Sequence, residues 1–237
     1  MSTKPILFNT EMVRAILDGR KTVTRRLVKP QPEFRNGETG TPVICDDGET
    51  WTFKIDQYTV TYDYDCKAPC SKGDNLYVRE TWCKGKVAYG EEPDGRNVPF
   101  ISQCPGEDDI IPKEWAIRED IGIEDVVWRP SIHMPKEAAR IFLRVKDVRM
   151  ERLHDITEED AKAEGIKMVT EWPDAGYFDY KGKHEDGRVW SSARECFRWG
   201  LWNSTIKPAD LPAYGWDANP WVWVIEFEKI SKEETTK

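Results

Sequence analysis

Lys21 and Thr24 stand three residues apart in the segment Gly19–Arg26, GRKTVTRR, and together they could carry out nucleophilic chemistry. A threonine hydroxyl is a weak nucleophile until a neighbour takes its proton. A lysine desolvated enough to lose its own proton can do that. A carboxylate is then needed to hold the lysine or to pass the proton onward. The same residues also read as a basic loop with Thr24 on a solvated strand face. Arg20, Lys21, Arg25, Arg26 and Lys29 fall within ten residues, and such a patch suits a phosphate.

The elements around this segment follow from pattern. Lys4–Phe8 is expected as a short strand. Asn9 or Thr10 then caps a helix whose apolar face is Met12, Val13, Ile16 and Leu17. Gly19 is placed to end that helix in the left-handed conformation. A strand beginning near Thr22 sets Thr22, Thr24 and Arg26 on one face and Val23, Arg25 and Leu27 on the other. Farther on, Trp51–Tyr62 reads as a hairpin turning near Asp56-Gln57, and Asn75–Glu80 as a strand. Residues 84–125 are acidic and broken by Gly and Pro; they read as a long insertion with a short helix near Pro112–Ile117. Ala139–Val148 alternates as a strand. Thr157 caps a short acidic helix that Gly165 stops. Ser192–Trp202 is expected as a helix with Ser192 and Glu195 in capping-box spacing, and Trp221–Lys229 as a final core strand.

Other residues could join a site. Arg79 and Glu80 are neighbours on a strand and so point to opposite faces: Glu80 could supply a second carboxylate, Arg79 could bind phosphate, or the two could form structural ion pairs. Tyr77 and Trp82 could stack on a base or pack in the core. Arg129 and His133 lie in the Pro-punctuated RPSIHMP, a loop type that often carries substrate contacts. The three histidines lack ligand spacing. Cys45, Cys66, Cys70 and Cys83 could offer zinc four thiolates, but no paired C-x2-C is present, so no metal and no cofactor is expected.

Composition limits the function. Hydrophobic residues make up 39% and charged residues 33% of the 237, which is globular composition, and eleven tryptophans call for burial or stacking. A net charge of −8 excludes a sequence-independent nucleic-acid coat and leaves room for a local basic site. The start MSTKPILFNTEMVRA lacks the apolar stretch of a secretion signal, and no run reaches membrane-spanning length. The expectation is therefore a cytoplasmic protein with no membrane partner and reduced thiols.

Three separated blocks, ILDGRKTVTRR, GDNLYVRE and LHDITEEDAKAEGI, resemble in that order the ASCH domain family of the PUA-like superfamily. The likeness covers residues 4–28, 71–82, 140–166 and 220–230, and VRETW with WRPSIHMPKEAARI also resembles the long members common in phage and prophage genomes. The resemblance implies an α+β fold. Its core would be a PUA-like small β-barrel with flanking helices, a single domain over 1–237 with insertions at 29–50, 84–128 and 167–190. It also implies an association with RNA or modified nucleosides. One compact branch, the bacterial 4-acetylcytidine amidohydrolases, carries a Thr–Lys–Glu triad in a GRKTxTxR segment and a later helix. The matching positions here are Thr24 as nucleophile, Lys21 as base and Glu164 as the orienting or relaying carboxylate, with Arg26 at the terminal arginine. Arg25 replaces an apolar residue of that branch, adding a charge suited to phosphate. The implied partner is a modified nucleoside or RNA. Substrate contacts would come from Arg25, Arg26, Arg79, Glu80, Arg129 and His133. The alternative function is a non-catalytic RNA or nucleotide reader, or an RNA-cleaving protein, using the basic pocket of Lys21, Arg25 and Arg26.

Overall fold

The computed structural model describes residues 3–32, 40–45, 50–55, 61–91, 96–104, 106, 109–169, 176–178 and 190–236. The chain opens with β1 (Thr3–Leu7), α1 (Thr10–Leu17), β2 (Val23–Leu27), β3 (Gly40–Ile44), β4 (Thr50–Ile55), β5 (Thr61–Lys67) and β6 (Asn75–Arg79). The middle holds β7 (Trp82–Lys84), β8 (Lys86–Glu91), β9 (Asn97–Ser102), β10 (Ile110–Pro112) and α2 (Lys113–Arg118). There follow β11 (Phe142–Arg152), α3 (Glu158–Ala163), β12 (Lys167–Val169), β13 (Gly176–Phe178), α4 (Ala193–Cys196), α5 (Leu211–Tyr214) and β14 (Trp221–Ile230). The class is α+β, mostly strands in several sheets with few and short helices. Among the described residues no closed barrel is formed.

The residues divide into two compact units. The first holds Asp18–Asp74 and Arg144–Glu228; the second holds Ser2–Leu17, Asn75–Leu143 and Lys229–Lys237. In the first unit β14 lies between β11 and β2. It pairs antiparallel with β2, setting Thr24 opposite Ile225 and Arg25 opposite Val224. The alternation expected for the last strand is filled on both faces, since Trp221 to Ile225 are all buried. A second sheet of order β3-β4-β5 supplies Trp51, whose ring meets Trp223 edge-on at 5.6 Å, and Phe53, which meets Trp221 at 5.0 Å. The turn expected near Asp56-Gln57 lies outside the described residues.

In the second unit β1 and β6 run parallel, with Thr3 opposite Asn75. Parallel neighbours need a crossover connection, and α1 begins it. The Asn9 side chain accepts the Met12 N–H at 2.8 Å, which is the expected cap. The stretch read as a loop insertion is structured. β8 and β9 form a hairpin, β10 pairs with β7, and Cys83, Ile101, Ile111, Ala116 and Ile121 form a core of their own. Burying each of the larger side chains contributes roughly 1.5–3 kcal/mol, enough to fold a segment whose charge reads as loop. The insertions expected at 29–50 and 167–190 likewise contain β3 and the β12–β13 hairpin. The helix expected over Ser192–Trp202 starts at Ser192, whose side chain accepts the Glu195 N–H at 3.1 Å, but after Cys196 it widens into a π-helical turn.

Candidate functional site

The Lys21 segment is stitched to the end of α3. Gly19 takes φ +74°, the left-handed conformation that favours glycine. Beyond it Arg20 Nη1 donates to Gly165 O at 2.6 Å and Thr22 N–H to Ala163 O at 2.9 Å, while Lys21 and Glu164 form an antiparallel bridge. On the other side, Phe227 N–H donates to Thr22 O at 2.9 Å. The helix that presents Glu164 is held at both ends. Thr157 accepts the Asp160 N–H at 3.0 Å, and Gly165 turns the chain away with φ +101°.

Within that frame Lys21 is fully buried. Its Nζ donates to Glu164 Oε2 at 2.6 Å, to Val23 O at 2.9 Å and to Glu164 O at 3.0 Å. Three acceptors match the three protons of an ammonium. Burial nevertheless lowers the pKa of Lys21 below lysine's ordinary value; Glu164 opposes the shift, and Arg26 and Arg25 reinforce it. Glu164 gives its other oxygen to Arg25 Nη1 at 3.3 Å. Arg25 Nη2 in turn donates to Glu151 at 2.7 Å and Asp160 at 3.1 Å. Arg149 bridges Glu151 at 3.2 Å and Asp160 at 3.5 Å, and also binds Glu226. Lys21 and Arg25 therefore face the carboxylates of their own unit, a paired arrangement that limits the cost of burying charge.

Thr24 is buried on β2, one residue from Arg25, and none of the three Lys21 bonds involves it. Arg26 is half-buried; desolvation lowers its pKa and Glu164 opposes the change. The structure thus brings Lys21 and Glu164 into direct contact, adds Arg25 to them, and keeps Thr24 and Arg26 on the adjoining strand.

Arg79, Glu80, Arg129 and His133 belong to the second unit. Arg79 donates to Ile132 O at 3.0 Å, and its guanidinium lies 5.5 Å from the Tyr77 ring. Glu80 is buried and clamped by Arg140 through Nε at 2.9 Å and Nη2 at 2.8 Å, so it belongs to an internal ion pair. Burial raises its pKa, Arg140 lowers it, and Glu114 raises it further. Arg129 stands 5.2 Å from the ring of Trp82, and its backbone pairs with that residue. His133 is exposed on a short turn, Ser131–His133. Among the described residues no group of three His, Cys, Asp or Glu could hold a metal. Burial pushes the Cys83 thiol up to about 11, away from the thiolate that metal binding needs. His154 is structural, with Nε2 2.7 Å from Trp216 O. Among the described residues no helix is long and apolar enough to cross a membrane.

Sequence reading missed the partners of Arg25 and Glu80. The signal for Asp160 was available, since it precedes Glu164 by one helical turn. Arg149 and Glu151 likewise sit two apart on β11, on one face. Glu114 and Arg140 carried no local sign. No protein-family model, curated protein or solved structure matches the chain.

Proposed function

We propose that the protein is an ASCH-type hydrolase on a PUA-like fold that removes the acetyl group from the exocyclic amine of 4-acetylcytidine or a similar modified nucleoside. The observation that carries the reading is the fully buried Lys21 in 2.6 Å contact with Glu164. Desolvation favours the neutral amine, and loss of its proton to solvent leaves Lys21 with a lone pair while Glu164 holds the amine in place. That lone pair takes the Thr24 hydroxyl proton as the threonine oxygen bonds to the acetyl carbon. Arg26 or a backbone N–H stabilises the oxyanion. The proton then passes to the departing cytidine nitrogen as the C–N bond breaks, and water releases acetate from Thr24.

A second reading has its own support: the three described Lys21 bonds close inside the protein, as in a structural ion pair. It is a nucleotide- or RNA-binding module without turnover, with Arg26 at the phosphate. The deciding measurement is acetate release from 4-acetylcytidine. Under the first reading the wild type is active and Thr24→Ala loses about a hundredfold or more. Binding without release by the wild type supports the second reading. Unchanged turnover in Thr24→Ala would falsify the triad.

A further inference from the structure

The second unit holds a cleft of about 380 Å³ whose lining includes Lys86, Asp109, Ile111, Pro112, Trp115 and Arg140. We propose that this cleft is a separate binding site for a small aromatic anion, a planar ring bearing a carboxylate or a phosphate.

The size lies within the range of small-molecule pockets, roughly 300–1,000 Å³. Its chemistry is two-sided. Trp115 is half-buried beside Pro112 and the aliphatic walls, and a flat indole with such neighbours suits a ring. The anion-binding side is Arg140 and Lys86. Glu80 and Glu114, both fully buried, hold Arg140 by three hydrogen bonds on Nε and Nη2 at 2.8–2.9 Å. The guanidinium is thereby fixed, and no described bond uses Nη1. Its two N–H groups lie on the edge turned away from Glu80, and the side chain keeps 29% exposure. Arg118 Nε donates to the other oxygen of Glu114 at 3.0 Å, with Arg14 Nε 3.9 Å from the same oxygen. Arg14 is itself paired with Glu11 at 3.5 Å, so three guanidinium groups meet three carboxylates and the cluster behind the cleft is balanced in charge; the anion is held by the unused Nη1 edge of Arg140 and by Lys86. Lys86 is exposed and makes no described ion pair. A buried carboxylate clamp on an arginine costs desolvation; holding the free edge of Arg140 in one orientation is the use it serves here.

Titration calorimetry on the full chain tests the site with uridine 5′-monophosphate, indole-3-acetate and inorganic phosphate as probes. At least one ring-bearing anion should bind saturably, with phosphate at least tenfold weaker. Lys86→Glu should weaken the binding about tenfold, and Asp109→Asn should strengthen it severalfold. Both are exposed positions, and effects of opposite sign cannot come from loss of folding. No saturable binding by either ring-bearing probe overturns the proposal, as does binding indifferent to both cleft variants, or phosphate binding as tightly as the ring-bearing anions.

Discussion

Burial lowers the proton affinity of Lys21, and Glu164, which divides its carboxylate between Lys21 and Arg25, opposes the shift. Arg25 acts in two ways: it fixes Glu164 Oε1 at 3.3 Å, and its positive charge lowers the Lys21 pKa. A base must be neutral, so hydrolysis should rise with pH through the Lys21 pKa, below the ordinary 10.5. Arg25→Gln removes the charge, so the rising limb of kcat/KM should move to higher pH. Arg25→Lys keeps the charge and should leave the limb near its wild-type position. Both variants should lower the urea midpoint, because Glu151 and Asp160 lose a fixed fork; the loss for Arg25→Gln should be about 3–5 kcal/mol. A purely structural arginine would give the loss of stability with no difference between the two pH profiles. The same lowered pKa has a linkage consequence. Between the folded value and 10.5 the unfolded chain binds more protons at this site, so its contribution to stability rises with pH there.

At the scale of elements, the site depends on a six-residue helix that could not persist alone. Its ends decide where Glu164 sits. Thr157→Ala removes the acceptor for the Asp160 N–H and frees an aspartate that also binds Arg25 at 3.1 Å. The expected cost is about 1 kcal/mol, within roughly 0.5–2, read as a lower urea midpoint, with a drop in turnover larger than a distant cap substitution causes. Signals of this kind were legible in the sequence because they are local. Thr157 and Gly165 bounded α3, Gly19 turned the chain, Asn9 capped α1, and alternation marked β14. Glu164 opposite Lys21 was legible only through resemblance, since 143 residues separate the pair. The core of the middle segment escaped for a related reason. Ile111 is buried because β10 registers it opposite Cys83, and no window around either residue shows that pairing. The π-helical turn after Cys196 escaped too: its Phe, Trp, Gly and Leu read equally well at the ordinary helical period.

For the molecule as a whole, the question is what remains of the basic segment once its inward-facing members are set aside. Lys21 and Arg25 are buried against carboxylates, and Arg20 meets Gly165 O and Asp18. The other two basic residues of this segment are Lys29, exposed and 5.0 Å from the Tyr214 ring, and half-buried Arg26, in a chain of net charge −8. Counterion release scales with the phosphates neutralised, with a slope of about −0.7 per contact for single strands. Two contacts make a fourfold rise in salt, from about 50 to 200 mM, weaken RNA binding by about sevenfold. Fluorescence anisotropy with a short labelled single-stranded RNA reads this directly. A loss near sevenfold fits a protein that recognises a nucleoside and touches the backbone lightly. A loss of about a thousandfold or more would mean about seven or more phosphate contacts. The buried pairing of Lys21 and Arg25 cannot supply that many from this segment, so a steep dependence would place the RNA surface elsewhere on the molecule and take the nucleoside reading down with it.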